Sequence, residues 1–226
     1  MGMAEPMGDS NVMYLYIIKG HLMQKVDEGT PGAIKREYEG SDGSSGVKYE
    51  LQYKNLEGYI TGIDFRESDF GDQCTIKMSA DGENAQLQIG LDSRYFATFA
   101  ERFSNINLSL PVTLNAYDFE QDGKKRSGMS VVQDGKKVES YFWDKDNRKA
   151  INGVPLPENG GDGYDKDDWK YYFSKKKKFL KNHIENEFLN LVGHSAPPEK
   201  DPDKPANPLV EHSKNDPSPE GDDLPF

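Results

Sequence analysis

Alternation of apolar and polar residues predicts β-strands over the first two thirds of the chain. Every second residue from Cys74 to Met78 is apolar, a period-2 pattern typical of a strand with one buried face. Asp81-Gly82 then marks a hairpin turn, and the alternation resumes over residues 87–91. Similar runs occur between Val12 and Trp143, including an aromatic and β-branched run at 14–18. The pattern therefore predicts a mainly β fold.

The period changes once within this region. Apolar residues recur at helical spacing between Ser93 and Ser104, which predicts a short amphipathic helix with Asp92 or Ser93 as its cap. Strands resume at Val112, and Asp134-Gly135 marks a further tight hairpin. Three strands, a short helix, two strands and a hairpin fit the OB-fold, a five-stranded Greek-key barrel capped by the helix, with extra strands before it. Other small α+β folds fit the same order.

The last third of the chain predicts a long helix and then a disordered tail. Residues 165–192 carry one apolar stripe with acidic residues at the start, and Gly193 ends the helix. From residue 193 the chain is rich in proline and acid and poor in apolar residues, which predicts disorder. We therefore expect a flexible N-terminus (1–11), one domain (12–192) and a disordered acidic tail (193–226).

Charge limits the partners that this chain can bind. The net charge is −11, which opposes a nucleic-acid partner because phosphate binding requires Lys and Arg. Residues 195–226 hold eight carboxylates and three lysines, so the tail carries −5 of this charge and the remainder −6. Any site for nucleic acid must therefore be a local basic stripe.

Other features argue against several function classes. The single cysteine, Cys74, excludes an internal disulfide framework and a cysteine-rich zinc site, and we expect it to be buried on a strand. The four histidines are scattered and no glycine-rich phosphate loop of the Walker type is present, so we predict no enzyme activity and no cofactor or metal. Neither a signal peptide nor an apolar run near the roughly 18 residues of a membrane span is found, so we expect a cytoplasmic protein.

The chain ends on an apolar segment that its acidic context does not explain. Residues 220–226 read Glu-Gly-Asp-Asp-Leu-Pro-Phe. Exposed Leu224 and Phe226 gain nothing in water, but a partner's pocket with a cation for the terminal carboxylate would bind them. Pro225 lowers the entropy lost on docking. The alternative is an ordinary solubilising tail that ends in this way by chance.

This ending resembles the acidic tip of bacterial single-stranded DNA-binding proteins. Residues 45–192 also resemble the OB domain of phage-encoded single-stranded DNA-binding proteins, most clearly at residues 49–66, 92–107, 117–119 and 133–138. The resemblance implies a protein that coats single-stranded DNA without strong sequence preference in replication, recombination and repair, in a bacterial or phage-infected cell. It also implies recruitment of partner enzymes through the tip. Residues 12–40 have no counterpart, and the long helix departs from the bacterial pattern, so the bacterial tetramer is not implied.

Such binding needs basic residues for phosphates and aromatic faces for unstacked bases. The residues that meet this requirement on strands and loops of the predicted barrel are Arg66, Phe70, Lys77, Tyr117, Phe119, Lys124, Lys125, Arg126, Lys136, Lys137, Tyr141 and Trp143. The predicted partner-binding residues are Asp222, Asp223, Leu224, Pro225 and Phe226.

Several alternatives remain at this point. Two basic segments are also typical of ordinary solvated turns. They are Asp122 to Arg126, in a predicted loop, and Asp134 to Lys137. Tyr141 and Trp143 would equally pack the long helix on the barrel. The rival function is a protein-interaction module that docks on replication enzymes without binding DNA. Strand annealing, RNA binding and the oligomeric state stay open.

Overall fold

A computed structural model describes residues 12–39, 43, 45–67, 71–192 and 210–212, without the side chains of 189–192 and 210–212. The predicted flexible N-terminus, Phe70 and the tip at 220–226 lie outside the described residues. So does the predicted tail except for residues 210–212.

The described chain is mainly β, as predicted. Its strands are β1 (Val12–Ile18), β2 (His21–Val26), β3 (Ile34–Glu39), β4 (Ser45–Arg66), β5 (Gln73–Ala80), β6 (Glu83–Gly90), β7 (Val112–Gln121), β8 (Lys124–Gln133), β9 (Lys136–Lys137), β10 (Trp143–Asp144), β11 (Lys149–Ala150) and β12 (Val210–His212). Its α-helices are α1 (Arg94–Ala100) and α2 (Lys166–Val192), with short 3₁₀ turns at Phe103–Asn105 and Glu158–Gly161. The period change at residue 93 and the long C-terminal helix are therefore confirmed.

Five strands form a closed ring in the order β2-β1-β6-β5-β4, and β2 pairs again with β4. The β1–β6 pairing is parallel, and the other pairings around the ring are antiparallel. The N-terminal strands were expected as additions to a five-stranded barrel, and two of them are members of the ring. The N-terminal hairpin β1–β2 completes the ring, while the β7–β8 hairpin joins β4 only through residues 56–58. A long-range parallel pairing of this kind leaves no signal in local periodicity.

The 22-residue strand β4 organises the sheet because different partners pair with successive parts of it. On one edge β3 pairs with residues 45–50 and β5 with residues 59–66. The short strand β12 pairs with residues 53–56, in the interval between them. Three residues of the predicted disordered tail thus form a strand, which the unpaired edge of β4 and the β-branched Val210 favour.

The core lies inside the ring and continues under α1. The side chains of Leu15, Ile76 and Leu87 are at most 1% exposed and come from three neighbouring strands. Helix α1 adds Phe96, Phe99 and Ala100, and the 3₁₀ turn after it adds Phe103, all of them predicted on the apolar face of the short helix and all fully buried. Ser93 caps α1, since its hydroxyl accepts a hydrogen bond from the Phe96 N–H at 3.2 Å. Each fully buried large apolar side chain stabilises the fold by about 1.5–3 kcal/mol.

Helix α2 packs on this body by its C-terminal half. Leu180 and Ile184 are buried, and Lys176 pairs with Glu101 beyond the end of α1 at 2.8 Å. Asp165 caps the start of the helix, since its carboxylate accepts hydrogen bonds from the N–H groups of residues 167 and 168 at 2.8 and 2.9 Å. No described helix is long and apolar enough to span a membrane.

Cys74 is buried on β5, as predicted. Burial raises the pKa of its thiol to about 12, with a smaller contribution from Asp64. The thiol is therefore protonated near neutral pH, and its role is packing.

Candidate nucleic-acid interface

The β7–β8 hairpin carries five of the predicted site residues. Asp122 and Gly123 have φ values of 51° and 70°, so they form a type I′ turn, which suits an Asp-Gly pair. The prediction of a basic loop from Asp122 to Arg126 is therefore wrong about the length of the loop. The turn takes only two residues, and the ladder begins at once with Gln121 opposite Lys124. Lys124, Lys125 and Arg126 belong to β8, so the strand register fixes where each side chain lies.

That register separates the charges of the hairpin. Strand residues alternate between two faces, and paired residues share a face. One face carries two aromatic rings and two cations, namely Tyr117, Phe119, Lys124 and Arg126, with Phe119 opposite Arg126. The other face carries the carboxylates Asp118 and Glu120 together with Lys125. The acidic and basic residues of the hairpin are equal in number, so its net charge is zero, yet one of its faces combines aromatic rings with positive charge.

Lys125 differs from its two neighbours. Its ammonium group lies 3.2 Å from the Asp118 carboxylate, which is only 13% exposed. This ion pair lies on the acidic face, away from the two rings. Of the three predicted cations in this hairpin, Lys124 and Arg126 therefore share a face with the aromatic residues, and Lys125 does not.

One of the two aromatic rings, that of Tyr117, lies over a glycine on the neighbouring strand. Tyr117 and Phe119 are half-buried, with ring centroids 5.8 Å apart and planes at 43°. Tyr117 lies opposite Gly128, where an added Cβ would be 2.5 Å from the tyrosine Oη and 3.0 Å from Cγ2 of Thr98. The Thr98 hydroxyl in turn accepts a hydrogen bond from the Met129 N–H at 2.7 Å. Helix α1 therefore contacts β8 at Gly128 and Met129, next to the Tyr117 ring.

A second polar surface lies on the outer face of the ring. Lys77 on β5 is opposite Gln86 on β6, which is opposite Tyr14 on β1. Tyr14 is 58% exposed, whereas the next residue, Leu15, is buried. The outward position of Tyr14 is readable from the alternation, but its place beside Gln86 depends on the β1–β6 pairing. Sequence reasoning missed both residues for that reason.

The remaining predicted cations near this surface are exposed or paired. Lys77 forms an ion pair with Asp64 at 2.6 Å, and both side chains are substantially exposed, so the pair contributes little stability. Arg66 is exposed at the end of β4, opposite Gln73.

Lys136 and Lys137 follow the predicted Asp134-Gly135 turn, which is confirmed with φ values of 51° and 72°. Both lysines are exposed, opposite Gln133 and Val132. Neither partner is aromatic.

Tyr141 packs where α2 meets the sheet. Its ring stacks on His183 with centroids 5.5 Å apart and planes at 23°, and the adjacent Phe142 is buried against Phe179 at 5.4 Å. Burial lowers the pKa of His183, and its Nε2 is 2.5 Å from the Ser104 hydroxyl. This placement favours the packing interpretation of Tyr141. Trp143 is half-buried in the small β10–β11 pair, opposite Ala150.

Within the described ranges, no three His, Cys, Asp or Glu side chains are grouped as metal ligands. Comparisons of this chain with protein-family models, curated proteins and solved structures give no match.

Proposed function

We propose that this protein binds single-stranded DNA without strong sequence preference and has no catalytic activity. The observation that carries the proposal is the face of the β7–β8 hairpin on which Tyr117, Phe119, Lys124 and Arg126 lie together. Rings that offer a stacking surface beside cations that neutralise phosphates are the combination that single strands require. In this proposal the closed ring with its helix α1 is an OB-type domain.

Binding would follow from two separate contributions. Each base stacked on an aromatic ring adds about 1–3 kcal/mol, and every base has a face to stack, so sequence matters little. Lys124 and Arg126 would release counterions from phosphates, which makes the affinity fall with salt. The amides and hydroxyls beside Lys77 on the outer face of β5 and β6 would add hydrogen bonds along the strand.

We also propose that residues 222–226 recruit replication, recombination or repair enzymes. The argument is the chemistry of the sequence: two aspartates for basic residues of the partner and Leu-Pro-Phe for an apolar pocket.

The acidic tail would also compete with DNA for the cations of the hairpin when the protein is unbound. Deletion of residues 195–226 should then raise the affinity for DNA at low salt and have little effect at high salt. An affinity unchanged by the deletion at low salt would remove this competition.

The direct test is fluorescence anisotropy of labelled oligo-dT with the full-length chain, compared with duplex DNA over a salt series. We expect salt-dependent binding to the single strand and much weaker binding to the duplex. Absence of binding to oligo-dT by both the full chain and the tail-deleted chain would contradict the proposal.

The second candidate is a protein-interaction module that docks on replication enzymes through residues 222–226 and does not bind DNA. The net charge of −6 outside the tail favours it. The same anisotropy experiment separates the two candidates, because only the first predicts binding to oligo-dT.

A further inference from the structure

The ribbon formed by β3 and the first six residues of β4 also separates its charges between two faces. Register places Arg36 opposite Lys48 and Tyr38 opposite Gly46 on one face. The other face carries Glu37 and Glu39, again set by alternation along β3. Residues 12–40 have no counterpart in the proteins that the chain resembles, and the two-faced character of β3 depends on its pairing with β4.

The single carboxylate on the basic face is already neutralised. Glu50 is fully buried and accepts two hydrogen bonds from the Arg36 guanidinium at 2.7 and 2.6 Å and a third from the Tyr16 hydroxyl. The Arg36 contact lowers the pKa of Glu50, so the carboxylate stays ionised at neutral pH. Two lysines lie on the same face as Glu50. Lys25 on β2 is opposite Glu50, and Lys48 is two residues before Glu50 on β4. Around Glu50, three cations therefore face one carboxylate, which leaves positive charge at the surface.

An aromatic ring lies beside this excess charge. The Lys48 ammonium is 4.5 Å from the centroid of the Tyr38 ring, and Tyr38 is 36% exposed. The ring lies over Gly46, where an added Cβ would be 2.7 Å from the tyrosine Oη. The ring is thus held flat on the ribbon by a glycine, as the Tyr117 ring is held over Gly128.

The surface continues from the outer face already described. Leu15 pairs with Gln24, so the outward residues that adjoin them, Tyr14 and Lys25, lie side by side on β1 and β2. Lys25 is opposite Glu50, and Glu50 is opposite Ile34 on β3. A row of outward residues therefore runs around the outside of the ring from Lys77 to β3, and its length along this curved surface is five interstrand spacings, or roughly 24 Å.

We propose that the basic face of the β3–β4 ribbon is a second subsite for single-stranded DNA, at the far end of this row. Lys48 moves from the Tyr38 ring to a phosphate, the ring then stacks a base, and Lys25 contacts a further phosphate. Glu37 and Glu39 on the opposite face repel the strand and keep it on one side. The inference rests on the proposed DNA-binding function and adds a path for the DNA strand around the outside of the ring to β3.

The test compares a short oligo-dT of about 8 nucleotides with a long one of about 25, since site sizes per OB domain run from about 4 to 16 nucleotides. The full-length variants are Tyr38→Ala, Tyr38→Phe and Lys48→Ala. Lys35→Ala is the matched control, because Lys35 is an exposed lysine of the same ribbon that lies on β3, as Tyr38 does, but on the acidic face. Thermal unfolding of each variant checks that the ribbon stays folded.

On the long strand, we expect Tyr38→Ala to weaken binding at least about fivefold, the loss of one stacked base, while Tyr38→Phe keeps the affinity. Lys48→Ala should lower the slope of log K against log salt by about 0.7. If Tyr38→Ala, Lys48→Ala and Lys35→Ala all match the wild type on the long strand, the ribbon is not a subsite, although the proposed function stands. If the wild type binds neither strand, the proposed function itself fails.

Discussion

Two of the Asp-Gly hairpins, those at Asp122-Gly123 and Asp134-Gly135, start from the same local chemistry and present different surfaces. Both turns have positive φ at each central residue, and both are followed by two or three basic residues. After Asp122-Gly123 the chain enters a ten-residue strand, where Arg126 lies opposite Phe119. After Asp134-Gly135 the strand lasts two residues, and its lysines lie opposite Gln133 and Val132.

The comparison shows that the partner strand decides what a basic turn can do. A type I′ turn fixes register, and register decides which side chains share a face. In the first hairpin it combines cations with aromatic rings and moves the carboxylates to the other face. In the second it places two exposed lysines opposite Gln133 and Val132, a pairing that brings no aromatic residue from the partner strand beside them. The first hairpin should therefore contribute most of the DNA binding, which the following predictions test.

Phe119→Ala should give the largest effect on DNA binding. It removes a stacking surface from the first hairpin, so we expect the dissociation constant for oligo-dT to rise about 5- to 100-fold, corresponding to about 1–3 kcal/mol. Anisotropy titration measures it. Tyr171→Ala is the matched control, because Tyr171 is a 72% exposed aromatic residue on α2 outside the proposed site. Equal affinities of the two variants would contradict the role of the first hairpin.

Substitutions of two glycines should affect the stability of the two hairpins differently. Gly128→Ala places a Cβ against the Tyr117 Oη and Thr98, which should destabilise the fold by about 1–3 kcal/mol and displace the ring. Gly135→Ala meets nothing within 4 Å and only adds strain at positive φ, about 1 kcal/mol. Urea unfolding gives the stabilities. Only Gly128→Ala should also weaken binding to oligo-dT, and a similar loss in Gly135→Ala would mean that the second hairpin contacts DNA too.

Paired charge removals compare the hairpins directly. The double variant Lys124→Ala/Arg126→Ala should lower the salt slope for oligo-dT by about 1.4, since each phosphate contact on a single strand contributes about 0.7. Lys136→Ala/Lys137→Ala removes the same charge from the second hairpin and should change the slope by less than half as much. Both slopes come from anisotropy between about 50 and 200 mM salt. Equal slopes would show that net charge, and not the arrangement beside the rings, governs binding.

Local patterns predicted the elements, and long-range pairing decided their arrangement. The alternation at residues 74–78, the helical phenylalanines at 96–103 and the Asp-Gly turns were all confirmed, because each depends on neighbouring residues. The closure of the ring by β1 and β2 was missed because it needs a parallel pairing between residues 12–16 and 84–88. No periodicity encodes that choice of partner.

The candidate site divides in the same way. Residue types identified Tyr117, Phe119, Lys124 and Arg126, but only the register shows that they share a face and that Lys125 does not. Tyr141 was a candidate on composition alone, and its stacking on His183 follows from the docking of α2. Tyr14 and Tyr38 were missed because their neighbours on β6 and β4 are distant in sequence.

The smallest expected effect concerns pH and the region that follows the second hairpin. Residues 141–142 pack on His183, whose pKa is lowered mainly by burial, although Glu187 opposes the shift. The unfolded chain therefore binds more protons than the folded chain just below pH 6.5. The stability that the neutral, buried His183 ring contributes is complete above pH 6.5 and is lost as the pH falls through the lower pKa of the folded state. Between pH 7.5 and 5.5 we expect the wild-type Tm to fall by about 1–2 °C more than that of His183→Gln. Oligo-dT affinity should change equally with pH in both proteins, because the first hairpin does not contact this histidine. A larger loss of affinity at pH 5.5 in the wild type than in His183→Gln would instead link the α2 docking region to DNA binding and remove the contrast between the two hairpins.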